Sequence, residues 1–98
     1  MPDVNPYLER VGAEWAAAAK RRGANIEAPT LDSRVALELL ELARVAARTQ
    51  ERRFAPLASY LAGVAAERLR KAKPGIDETT VAELIEEVRK RLEADAEG

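Results

Sequence analysis

Neither cysteine nor histidine occurs anywhere in the 98 residues. The first absence excludes disulfides, thiolate metal sites and cysteine nucleophiles. The second removes the commonest general base, the commonest transition-metal ligand and the usual switch near neutral pH. Aromatic residues are scarce as well, being confined to Tyr7, Trp15, Phe54 and Tyr60, so the bases of a nucleic acid would find few rings to stack on. No apolar run approaches the roughly 20 residues that a bilayer span needs. The opening MPDVNPYLER combines neither a basic start nor an apolar stretch, so it does not read as a signal peptide, and a cytoplasmic location is the default expectation. Amides are limited to Asn5, Asn25 and Gln50, while Ala, Arg, Glu and Leu dominate. That bias fits a bacterial, GC-rich genome or a heat-tolerant source.

A chain of this length is expected to form one domain, residues 1–98, with one core and no deep cleft between domains. The net charge of −1 conceals a segregation. Residues 44–73 carry eight basic groups against two acidic, and residues 77–98 carry three basic against eight acidic. The plainest interpretation is that the basic middle and the acidic last segment lie side by side.

The spacing of apolar residues predicts an all-α fold, a compact bundle of four antiparallel-leaning helices over about 5–22, 32–48, 56–73 and 78–94. Asn5 followed by Pro6 opens the first helix and Gly23 closes it. Leu8, Val11, Trp15, Ala18 and Ala19 share one face of it, and Trp15 is expected in the core. Ile26, Pro29 and Leu31 are expected to plug the core from the following linker. The second helix, capped by Asp32, presents Val35, Ala36, Leu39, Leu40, Leu42, Ala43, Ala46 and Ala47 as a broad apolar face. Leu37 and Val45 fall on its polar arc and hint at a further contact. Phe54 is expected to staple the connection to the core, and Pro56 opens the third helix. Leu57, Leu61, Val64, Ala65 and Leu69 form that helix's expected core stripe. Gly63 in mid-helix costs about 1 kcal/mol relative to alanine, which suggests that another backbone comes near. Ser59, Gly63 and Ala66 then form a strip of small residues, either a packing seam inside the bundle or a self-association face. The fourth helix carries a capping-box pattern at Thr80-x-x-Glu83 and an apolar stripe of Val81, Leu84, Ile85, Val88 and Leu92. Its last residues, from Ala94, are expected to fray.

Catalytic groups are hard to find. Ser33 and Ser59 are the serines, and neither has an evident activating base. Glu38 and Glu41, and Glu83, Glu86 and Glu87, could bind a hard cation. They alternate with Arg and Lys at helical spacing, so a solvated, ion-paired face is the simpler account. No phosphate-binding loop, dinucleotide fingerprint or calcium-binding loop is present. No catalytic, cofactor-binding or metal-binding residue is therefore assigned.

The cluster with most functional promise is basic. Arg44, Arg48 and Arg52 step by four, and Arg53 follows. These arginines suit an anion or an acidic partner. Compensation of the helix dipole is the competing explanation. A nucleic-acid-binding module using the basic patch of residues 44–73 is the alternative function, and the pI near 5.6 argues against it.

Residues 39–66, LLELARVAARTQERRFAPLASYLAGVAA, combine an LLELAR run, an ER pair and an APLxxYLxGxA segment, with Trp15 in a preceding helix. This pattern resembles a small all-helical actinobacterial-type domain of unknown function. That domain is found alone or beside nucleotidyltransferase domains of the molybdenum-cofactor guanylyltransferase type. The chain departs from the family pattern at Arg48, where histidine is frequent, so a role resting on that histidine does not carry over. The resemblance implies an accessory domain near cofactor-nucleotide chemistry. Residues and resemblance together lead to the expectation of a non-catalytic helical accessory or protein-interaction domain without a cofactor. It would work through a protein partner or self-association, away from membranes.

Overall fold

The computed structural model describes residues 5–97. Four α-helices account for most of them: α1 (Pro6–Arg21), α2 (Ser33–Thr49), α3 (Ala55–Ala72) and α4 (Glu78–Glu97), with a 3-10 turn over Arg52–Phe54. No strand occurs among the described residues. The chain separates into two compact units, divided between Ser33 and Arg34.

The first unit holds α1 and the linker after it. Asn5 caps α1, its side chain accepting the Leu8 amide at 2.8 Å, and Pro6 takes the first helical position. At the far end Gly23 turns left-handed, at φ +85. Its N–H donates to the Lys20 carbonyl and the Ala24 N–H to that of Ala19, each at 2.9 Å. This double closure satisfies carbonyls that a helix end leaves open. The linker then folds back on the helix. Gly12 is buried against the backbone of Pro29, and a Cβ at Gly12 would overlap the Pro29 carbonyl oxygen. Trp15 does not enter a core, being 62% exposed, and Ile26, an expected plug, is also exposed.

The second unit packs α2, α3 and α4 into a helical bundle. Its core is Val35, Ala36, Leu42 and Val45 from α2, Ala66 from α3, and Val81, Ala82 and Ile85 from α4. Two short connections turn the chain back twice, so α2 and α4 run in the same direction. Their ion pairs show this order: Arg34 to Glu86 at 3.8 Å, Glu38 to Arg89 at 3.4 Å and Arg48 to Glu93 at 3.0 Å. Arg89 and Glu38 are the most buried members of this seam, and Arg89 also reaches Glu93 at 3.6 Å. The seam explains one correction. Val45 belongs by sequence to the polar arc of α2 but is 1% exposed, because α4 lies over that edge, while Leu40 on the opposite edge is exposed.

The face of α3 is also turned from expectation. Leu57, Leu61 and Ala65 are exposed, and Val64 and Leu69 are half-buried. The helix instead presents Ala58, Ser59, Ala62 and Ala66 inward. Small side chains let helix axes approach more closely than leucines do. Among the described residues nothing lies within 4 Å of a Cβ built on Gly63, so no backbone there accounts for it.

Asp77, rather than Thr80, caps α4. Its Oδ1 accepts the Thr80 amide at 2.9 Å and the Thr80 hydroxyl at 3.0 Å. Thr80 is thereby placed inside the first turn. The helix continues through Glu97 instead of ending near Ala94, and Glu93 in its last part pairs with both Arg48 and Arg89.

Two glycines should behave oppositely. Gly12→Ala forces the linker at Pro29 away and should destabilise the first unit by roughly 1–3 kcal/mol. Gly63→Ala meets open space in a helix and should stabilise the second unit by about 0.5–1 kcal/mol. Thermal and denaturant unfolding of both variants checks the contrast, and equal signs would contradict it. A second expectation concerns acid. The Thr80 amide first, then its hydroxyl, hold the Asp77 carboxyl below its ordinary pKa. A carboxyl with a depressed folded-state pKa contributes stability that is complete above its unfolded pKa and is lost as pH falls through the lower folded value. Asp77→Ala should therefore be less stable than the parent at neutral pH, and the gap should close below about pH 4. A gap independent of pH would show that the carboxylate's charge takes no part in capping.

Candidate functional site

The arginine corner is present but largely engaged. Arg44 hydrogen-bonds Glu41, its neighbour one turn back. That bond first, and the Arg44 charge second, hold the Glu41 carboxyl below the usual range. Arg48 is paired with Glu93. Arg53 pairs with Glu51 at 3.4 Å and lies over the half-buried Phe54 ring, 5.5 Å from its centre. Arg52, in the 3-10 turn, has no ion pair among the described residues and is exposed. Three of the four guanidinium groups thus already face carboxylates. An anion arriving there competes with them for the same guanidinium groups. Two pairs, Arg48 to Glu93 and Arg70 to Glu78, join the basic middle of the chain to the acidic last helix. That is the side-by-side arrangement the charge segregation suggested.

Ser59, Gly63 and Ala66 do not form one surface. Ala66 is in the core, Ser59 is half-buried and Gly63 is exposed. Only the inner part of the strip packs within the bundle. Among the described residues no three carboxylates are grouped to hold a metal ion.

The surface that periodicity did not single out is apolar. Ala58, Leu61, Ala62 and Ala65 of α3 and Leu84, Val88 and Leu92 of α4 line a groove floored by Leu42 and Ile85, with a volume of about 270 Å³. Leu61 is 66% exposed, Val88 44% and Leu92 47%, and Leu57 continues the row at 59%. The sequence marked all four side chains as apolar and helical in phase, but assigned Leu57 and Leu61 to the core stripe of α3. What it could not show is that alanines would take their place. In the first unit, Tyr7, Val11, Trp15 and Ala18 form a second apolar row, flanked by Arg10, Glu14 and Arg21.

A family model, that of a domain of unknown function (DUF6457), matches residues 8–98. No curated protein and no solved structure matches the chain. Among the described residues no helix is long and apolar enough to cross a membrane.

Trp15 is the sole tryptophan, and its exposure gives a direct optical test. Its emission should lie near that of tryptophan in water and be quenched efficiently by acrylamide. A blue-shifted, protected emission would place the ring against another surface.

Proposed function

Starting from a chain that belongs to the DUF6457 family, we propose that it is a non-catalytic helical interaction module that docks through the α3–α4 groove. The observation that carries this reading is the row Leu57, Leu61, Val88 and Leu92 left open to solvent on one side of the second unit. Scattered exposed leucines are ordinary, but a contiguous apolar row beside a concave surface marks an interaction site. Fully covering a leucine or valine side chain is worth about 1.5–3 kcal/mol, so covering four that are half-exposed supplies several kcal/mol toward association. The likeness of residues 39–66 to domains found beside molybdenum-cofactor nucleotidyltransferases supports an enzyme of that kind as a candidate partner, with this chain in an accessory role.

The nucleic-acid reading is weaker. Of the basic residues between 44 and 73, Arg44, Arg48, Arg53 and Arg70 each face a carboxylate. A phosphate backbone gains less from cations already compensated.

The decisive variant is Leu61→Asp combined with Val88→Asp. Both positions are exposed, so the fold should persist, as far-UV circular dichroism would show. A tagged parent chain should retain one stoichiometric protein from lysate through a high-salt wash, and the double variant should lose it. Capture that survives both substitutions removes the groove from the proposal. Recovery of nucleic acid alone, released by salt, transfers it to the basic patch.

A further inference from the structure

We draw no further inference here: the strongest candidate, the apolar groove between α3 and α4 on which Leu61, Val88 and Leu92 lie open, belongs to the docking surface already described, and nothing in the structure shows what covers it.

Discussion

Alanine at the helix contacts governs how α2, α3 and α4 meet. Ala36, Ala66 and Ala82 sit at the centre of the bundle, each almost fully buried. Where facing side chains are this small, helix axes draw together, and dispersion between backbones replaces the interlocking of long side chains. Once α3 approaches on its alanine side, its leucines have no room inside. Leu57 and Leu61 turn outward and become the border of the groove. The open apolar surface is thus a consequence of the close-packed interior rather than a separate feature.

Electrostatics divides α4 between two tasks. Its inner edge holds Glu86, Arg89 and Glu93 against α2. Its outer edge leaves Glu83 and Glu87 exposed. The inner pairs are partly sheltered, and the Arg89–Glu38 pair is sheltered most. Breaking one side of such a pair leaves a charge in a place where water solvates it poorly, which costs more than the pair gains. The Arg89 Nε–H has no acceptor among the described residues. The seam therefore fixes the register between α2 and α4. The outer charges, fully hydrated, cost nothing to keep open.

Local signals in the sequence located the helices well. Asn5, Pro6, Gly23 and Pro56 act within a few residues of themselves, and their effects are read directly. The direction in which each helix faces was much less legible. Leu61 and Ala66 both lie on apolar arcs of α3, and the choice between them depends on α2 and α4, not on α3. Val45 was hidden by the same limitation, since the helix covering it lies far along the chain. The glycines show the point from another side. Gly63 looked like the close approach and faces open space, whereas Gly12 makes that approach, to Pro29 seventeen residues on. As for the site, the arginine corner was visible as cations, but the carboxylate opposite Arg48 is separated from it by 45 positions. No local pattern encodes such a partner.

The parallel pairing of α2 with α4 joins the first and last helices of the second unit, across separations as long as 52 residues. A searching chain closes short loops before long ones, so the α3–α4 hairpin has a shorter route to its contacts than the seam does. By that ordering the seam is expected to close after the hairpin. A contact closed that late is expected to be felt mainly on the way out of the native state, in how long the molecule stays folded rather than in how quickly it gets there.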